Sequence, residues 1–442
     1  MLIEVVFNRP GWVGWVAGRR QRLRLELTAP SARLEQRWLR VKAGAPVQVS
    51  FDRPVREVEL TGAAAPRVLL LPGPLRTVVL GRLGGAGSLG VSAVTRTWEQ
   101  LPPATSVTWF PPGGAAKLLV TPRPGSLLGL DTPLRLRFSE PVSRLLQGRL
   151  PALLPAVTGR WQSADAHTLV FRPRGYGFGL EAPIRLTLPV PVERIGGASE
   201  RTRTIAWRTP AGSPLRLQQL LALQGYLPLR WRAATTEAAP TIRSEVATAL
   251  DPPRGSFGWR YSHTPPELRA LWRAGQPNDI MRGAVMMFED SHRLAVDGIA
   301  GTRVWQALIA DAIAGRRRDS GYSYVYVHLG VPQSLNLWHN GQTILSSPGN
   351  TGVPAAPTQL GTFPVFEHIP IGTMSGTNPD GTRYHDPGIR WISYFNHGDA
   401  IHAFPRASFG TPQSLGCVEL PLPSAAKVWP YTPVGTLVTI EN

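Results

Sequence analysis

Two segments whose starts lie 87 residues apart carry the same strand pattern, and this repeat constrains the fold more than any other feature of the chain. Ala45-Pro46-Val47-Gln48-Val49-Ser50-Phe51-Asp52-Arg53-Pro54-Val55 aligns with Thr132-Pro133-Leu134-Arg135-Leu136-Arg137-Phe138-Ser139-Glu140-Pro141-Val142. In each, three apolar residues alternate with polar ones, so one face of a strand is buried and the other is wet. The closing strands also correspond, Ser106-Val107-Thr108-Trp109 with Thr204-Ile205-Ala206-Trp207, and each runs into a Pro/Gly linker. An 87-residue period suits a β-sandwich. Two tandem sandwiches are therefore expected, over residues 1–113 and 114–212. Gly159 to Pro173 adds a hairpin in the second unit, with Leu169 and Phe171 on one side.

Composition agrees with a mainly β, multidomain chain. Its 442 residues are enough for about three domains. With 45 glycines and 44 prolines among short apolar runs, an all-helical protein is excluded. No run of 18 apolar residues is present to span a membrane. The formal net charge is +18, and all but three of the 47 basic residues are arginine. Such an excess favours a polyanionic neighbour. That neighbour could be nucleic acid, an anionic membrane face or an acidic wall polymer, or the arginines simply scatter over solvated faces; the longest basic cluster, Arg316-Arg317-Arg318, points away from nucleic acid. Glu4 and Arg9 interrupt the first ten residues, so they do not read as a secretory signal.

After Leu215 the apolar period lengthens. Leu217, Leu220, Leu221 and Gln224 share one helical face, closed by Gly225-Tyr226. A loop-rich interval follows, then a helix around Ala284–His292. Leu294-Ala295-Val296-Asp297-Gly298 brings a turn, and Thr302 is expected to cap a last helix through its hydroxyl. Past residue 320 the pattern is β again: Tyr324 to Leu329 alternates, Asn340-Gly341 is a hairpin turn, and Thr436 to Ile440 is a final strand.

The chemistry is concentrated near the end. Cys417 is the only cysteine, so no internal disulfide or cysteine zinc cage exists. It sits in Ser414-Leu415-Gly416-Cys417-Val418-Glu419, and His402 lies 15 residues earlier in Ala400-Ile401-His402-Ala403. A thiol is mostly protonated at neutral pH, and an imidazole can take its proton to give the thiolate nucleophile. Gly416 allows a tight turn in which amide N–H groups face a tetrahedral oxyanion. Phe409-Gly410-Thr411-Pro412 supplies the return that brings Cys417 back to His402. Ser414 either hydrogen-bonds near the thiolate or shapes the turn. Tyr394 and Trp391 either line a substrate groove or pack in the core. Met374 to Gly381 has the composition of a lid. His339, His368, His385 and His397 read as loop or supporting histidines, and no metal or cofactor is implied.

These motifs carry resemblances. The segment from Tyr322 to Asn442 resembles the L,D-transpeptidase (YkuD-like) catalytic domain through His402, Ser414, Gly416 and Cys417. Thr351-Gly352 and Pro357-Thr358-Gln359-Leu360-Gly361-Thr362-Phe363 match its upstream pattern. Leu415 stands where the family has His or Lys, and Glu419 where it has Arg or Asn. Residues 213–314 resemble a three-helix peptidoglycan-binding module, with Glu289 in place of Gln, Val304 in place of Thr, and about 40 extra residues after the first helix. The Gly159–Pro173 region resembles the bacterial Ig-like modules that precede such catalytic domains.

The resemblance implies that Cys417 is the nucleophile and His402 the general base, then acid. The reaction would be acyl transfer from a tetrapeptide stem, with D-Ala leaving, to the amine of a second stem, giving a 3→3 cross-link; carbapenems would acylate the thiol. It implies peptidoglycan stems and glycan as partners, an extracytoplasmic location, a monomer, and a catalytic domain over 320–442. Three rivals remain at this stage: an L,D-carboxypeptidase, a catalytically inert wall-binding protein, and a Cys–His peptidoglycan hydrolase. In the last, the cysteine normally opens a helix ahead of its histidine.

Overall fold

Alternating burial sets the sheets. The structure, a computed structural model, describes residues 2–26, 32–62, 65–196, 201–235 and 240–442. Met1 and the parts of the expected units at 27–31, 63–64, 197–200 and 236–239 lie outside the described residues. The chain opens with β1 (Leu2–Asn8), α1 (Gly11–Ala17) and β2 (Arg20–Glu26), where β1 and β2 pair antiparallel. This hairpin pairs with no other strand among the described residues. The sheet expected over 1–113 therefore begins only later.

That sheet contains β3 (Trp38–Arg40), β4 (Val47–Thr61), β5 (Arg67–Gly81), β6 (Gly87–Val94) and β7 (Thr105–Phe110), in the order β3-β7-β6-β4-β5. Seven further strands form the next unit: β8 (Lys117–Thr121), β9 (Leu134–Phe138), β10 (Ala152–Leu154), β11 (Gly159–Ser163), β12 (Thr168–Pro173), β13 (Pro183–Arg194) and β14 (Arg201–Arg208), with α2 (Val142–Leu146) between β9 and β10. The repeated strands are β4 and β9. Val47, Val49 and Phe51, like Leu134, Leu136 and Phe138, are buried. Trp109 and Trp207 close their units with the indole N–H satisfied, by Gly84 O at 3.2 Å and by Arg123 O at 3.2 Å. The two units meet through Trp38 stacked on His167 at 4.6 Å and through an Arg40–Glu140 ion pair at 2.8 Å.

A helical unit follows, with α3 (Pro214–Leu223), β15 (Leu229–Ala233), α4 (Ile242–Leu250), β16 (Gly255–Trp259), α5 (Pro266–Ala270), α6 (Asp279–Ser291) and α7 (Thr302–Ala314). The interval expected as loop thus holds a β15–β16 hairpin and two short helices. A buried Arg216–Glu245 ion pair at 2.8 Å ties α3 to α4. Thr302 does not cap α7. Its hydroxyl donates to Leu180 O at 2.6 Å, because Gly301 holds the N-cap position and the β unit lies within reach.

One apolar core spans three units. Leu130 and Leu180 from the seven-stranded unit, Leu220, Phe288 and Trp305 from the helices, and Tyr322, Trp338 and Leu437 from the last domain pack together. At the seam two backbones touch. A Cβ on Gly283 would lie 2.5 Å from Gly435 O, and one on Gly435 would strike Gly283 O. The helical unit is therefore packed into the last domain.

The last domain has two sheets and a helix. Its strands are β17 (Ser323–His328), β18 (Ser334–His339), β19 (Gln342–Pro348), β20 (Gly361–Pro364), β21 (Glu367–Thr377), β22 (Arg383–Asn396), β23 (Asp399–Ala403), β24 (Val418–Leu420) and β25 (Leu437–Glu441), with α8 (Leu422–Val428) before β25. One sheet runs β19-β18-β17-β25-β20 and the other β21-β22-β23-β24. Asn340 and Gly341 both have positive φ in the β18–β19 turn, as the Asn-Gly pair demands.

Glu289 has a definite task in the helical unit. Its Oε2 accepts the Asp297 N–H at 3.1 Å and the Gly298 N–H at 2.8 Å, bracing the turn between α6 and α7. Burial, opposed by the Gly298 N–H and reinforced by Asp297, raises its pKa to about 7 from an ordinary 4.5. The folded protein holds this proton to a higher pH than the unfolded chain does. Stability from this group is therefore full below pH 4.5 and is lost as pH rises through about 7. Glu289→Gln keeps the acceptor without the charge. Its melting temperature should gain on the native protein as pH rises from about 5 to about 8, and a gap that stays constant over that range would contradict this environment.

Candidate active site

The pleat of two parallel strands assembles the site. β23 and β24 pair in parallel with Ile401 opposite Val418 and His402 opposite Glu419. Register partners share a face. Ile401 and Val418 enter the core beneath, beside Val325 and Leu337, so His402 and Glu419 emerge on the other side. Cys417, two residues before Glu419, follows it to that face. His402 and Cys417 line one cavity of about 280 Å³ together with Met374, Asn378, Tyr384, Asp386, Arg406, Leu415 and Glu419.

The loop between the strands is strapped in place. Asn350 is fully buried; its backbone exchanges two hydrogen bonds of 2.9 Å with Glu419, and its Oδ1 accepts the Gly410 and Thr411 N–H groups at 2.9 and 3.3 Å. Gly410 adopts φ +106°, as the expected return requires. Thr351 O accepts the Ser414 N–H at 3.0 Å. Thr358 Oγ1 donates to Gly416 O at 2.7 Å and accepts the Gly352 N–H at 2.9 Å. The upstream motif is thus the brace of the cysteine turn.

Within that turn Ser414 Oγ donates to Cys417 O at 2.5 Å and accepts the Gly416 N–H at 3.3 Å, so Ser414 holds the turn's shape. Gly416 has φ +119°, and a Cβ there would strike the Asp399 carboxylate. Gly416 N–H is engaged by Ser414, whereas the Leu415 and Cys417 N–H groups have no acceptor among the described residues.

The resting charges are neutral on both partners. His402 is buried, and burial lowers its pKa. Its Nδ1 faces Ala403 O at 3.0 Å. A carbonyl can only accept, so Nδ1 bears the hydrogen and Nε2 keeps a lone pair. The Cys417 thiol is pushed up to about 12, by burial first and then by the negative charges of Asp399 and Glu419, against the opposing Ala400 N–H. The thiol donates weakly to Gly398 O at 3.7 Å, and no hydrogen bond joins sulfur to imidazole in this conformation.

Glu419 is not a bare charge. Arg406 grips it with two bonds of 2.7 Å, through Nε and Nη2, and Nη2 also donates to Gln413 O at 3.0 Å. Its guanidinium lies 4.7 Å from the Phe404 ring centre. Such a bidentate pair is geometrically specific. Where the family pattern has a residue that cannot be acidic, this chain has an acid with its cation supplied from the loop.

Residues 322–440 match the L,D-transpeptidase catalytic domain, YkuD. Among solved structures, the chain is similar to an L,D-transpeptidase from Mycobacterium smegmatis at 14% identity, covering 74% of this chain and 100% of that one, with a TM-score of 0.25. An L,D-transpeptidase from Mycobacterium tuberculosis H37Rv is similar at 12% identity over 74% of this chain and 98% of that one, with a TM-score of 0.24. The catalytic domain of the E. faecium L,D-transpeptidase is similar at 25% identity over 28% of this chain and 99% of that one, with a TM-score of 0.25. No curated protein matches the chain.

Within this L,D-transpeptidase domain the other expected residues fall in different places. Tyr394 packs beside Cys417 in the small cluster around Ile389, Ile392 and Ala400. Trp391 instead packs toward the core beneath the sheet, with φ +58°, which breaks the alternation of β22. The lid-like stretch is the end of the long β21–β22 hairpin, and Met374 and Asn378 form one wall of the cavity. His368 stacks on Trp429 at 4.2 Å and His339 bonds Ser323 Oγ at 3.0 Å; neither lines the cavity. Asn350, Tyr384, Asp386, Asp399 and Arg406 went unremarked as site residues in the sequence.

Two outcomes follow from these charges. Alkylation of Cys417 by iodoacetamide should keep accelerating beyond about pH 10, with no plateau near the ordinary thiol value of about 8.5, and Asp399→Asn should move that curve to lower pH; a plateau below pH 9 in the native protein would overturn the assignment. Arg406→Gln leaves Glu419 buried without its cation, and should cost about 1–3 kcal/mol in denaturant unfolding. The charge-reversed pair Arg406→Glu with Glu419→Arg should recover part of the loss.

Proposed function

We propose that the chain is a peptidoglycan L,D-transpeptidase with Cys417 as acyl carrier and His402 as its proton partner. The observation that carries this reading is the shared sheet face, which aims a neutral imidazole with a free Nε2 lone pair and the only thiol of the chain into one cavity. This reading requires the Cys417 side chain to rotate off Gly398 O and bring its sulfur to Nε2. The proton then moves to His402 as sulfur attacks the carbonyl between the third and fourth stem residues. A neutral pair suits such concerted transfer, since a thiol at about 12 holds little standing thiolate at neutral pH.

The developing oxyanion is met by the Cys417 N–H. The C–N bond to D-Ala breaks, and D-Ala leaves with the proton from the His402 imidazolium. The side-chain amine of a second stem's diamino acid then attacks the thioester. It yields its proton to His402, and sulfur recovers a proton as it departs. Arg406 Nη1, not engaged by Glu419 or Gln413 in this structure, faces a carboxylate of the stem, and Asp386 across the cavity suits an ammonium.

Peptidoglycan as substrate puts the enzyme outside the cytoplasmic membrane, and no described helix is long and apolar enough to cross one. The tandem β units, taken as Ig-like sandwiches, serve as a stalk, and the peptidoglycan-binding-like helical unit supports the catalytic domain through their joint core. A catalytically inert wall protein is the reading favoured by the lack of a sulfur–imidazole hydrogen bond.

One experiment separates them. The native protein incubated with a tetrapeptide stem should form a thioester intermediate, seen by intact mass, and then a cross-linked dimer. Cys417→Ser should form neither product while remaining folded. His402→Ala should slow acylation by about 10²–10⁴. The native rate should fall on acidification only below pH 6.5, because burial lowers the His402 pKa from that value. A folded native protein that is never acylated by the stem or by a carbapenem would establish the inert reading.

A further inference from the structure

Helix α1 presents its apolar stripe outward. Trp12, Trp15 and Val16 stand at i, i+3 and i+4, the spacing that lines one helical face. In a globular domain that face turns to the core. Here the buried residue of the helix is Gly14, on the opposite side, where a Cβ would come within 3.0 Å of Arg9 O and 3.6 Å of Arg19 Cα. The helix therefore rests on the hairpin neck through its glycine. Trp12, Trp15 and Val16 are 78%, 89% and 70% exposed. Arg9 fixes the arrangement. Its Nη1 donates to Ala17 O at 2.6 Å, at the end of the helix, and its N–H to Arg19 O at 3.0 Å.

Behind this tip lies positive charge. Residues 2–26 hold five arginines against two glutamates. The register sets Arg20, Arg22 and Arg24 beside Asn8, Val6 and Glu4 on one face of the hairpin. Arg22 and Arg24 approach Glu4 at 3.7 and 3.9 Å, whereas Arg19 and Arg20, nearest the tip, have no ion pair among the described residues.

We propose that the α1 tip is an interfacial anchor that seats Trp12, Trp15 and Val16 in the surface of an anionic lipid bilayer, with Arg19 and Arg20 against the phosphate headgroups. Tryptophan favours the boundary between headgroups and acyl chains, where its ring is buried and its N–H stays wet. Basic residues at that depth are attracted by anionic lipid. The alternatives each leave half of the feature unexplained. A wall polyanion accounts for the arginines but gives the tryptophan and valine side chains no apolar medium. A second copy of the chain would cover the apolar stripe but would set two arginine clusters against each other.

The test is co-sedimentation of the full-length protein with vesicles. Binding to mixed phosphatidylglycerol–phosphatidylcholine vesicles should exceed binding to pure phosphatidylcholine by about tenfold and weaken with added salt. Trp12→Ser with Trp15→Ser should reduce binding by about tenfold or more. Arg19→Gln with Arg20→Gln should reduce it on anionic vesicles only, and this variant leaves the helix stripe intact. Both should be acylated by a soluble stem peptide at the native rate, which checks the fold. Failure of the native protein to pellet with anionic vesicles would overturn the proposal. So would equal binding by the tryptophan variant, or a native dimer in sedimentation equilibrium that this variant abolishes. Tryptophan-dependent pelleting with lipid-free wall in place of vesicles would overturn it too.

Discussion

Everything at the candidate active site depends on the parallel pairing of β23 with β24. A parallel pair cannot be closed by a tight turn, so the chain between Ala403 and Val418 must leave the sheet and come back in the correct register. A slip of β24 by one residue would turn Glu419 into the core and Val418 out of it. The register is therefore pinned from outside the two strands. Asn350 pairs with Glu419 through its backbone and with the loop through its side chain, and Thr358 holds the carbonyl of Gly416. These bonds are buried, where loss of a partner is costly.

The second constraint is the common core of the seven-stranded unit, the helices and the catalytic domain. Tyr322, Trp338 and Leu437 would face water without the helices. The Trp338 indole N–H donates to His263 O at 2.8 Å, so even a polar group of the catalytic domain is satisfied by the helical unit. The helical unit is thus built into the framework of its neighbour. The extra residues after its first helix make part of that framework.

Local patterns made much of this visible. The alternation around Phe51 and Phe138 is a period-two signal that burial obeys, and Cys417 with His402 stood out because a lone thiol beside a Gly turn has few uses. What stayed hidden depends on distance along the chain or on backbone twist. Asn350 meets Gly410 across 60 residues, and nothing local marks it. Arg406 was one arginine among many until its grip on Glu419 was seen. The side on which Trp391 packs was not legible, because a positive φ there reverses which side of the strand it occupies. The β15 strand did carry a signal: Leu229 and Trp231 alternate with Arg230 and Arg232, and both are buried. The surrounding prolines and glycines concealed it.

The contact of Gly283 with Gly435 has a mechanical corollary. Main chain lies on main chain there, with no side chain between them to change rotamer and absorb a displacement. Sliding α6 along the approach to β25 would collide at once, so the helical unit and the base of the catalytic domain move as one body. The end of the long β21–β22 hairpin is the contrary case: its Met374 and Asn378 line the cavity, yet among the described residues the side-chain hydrogen bonds at its tip stay within its own turn, so that wall is the one free to yield.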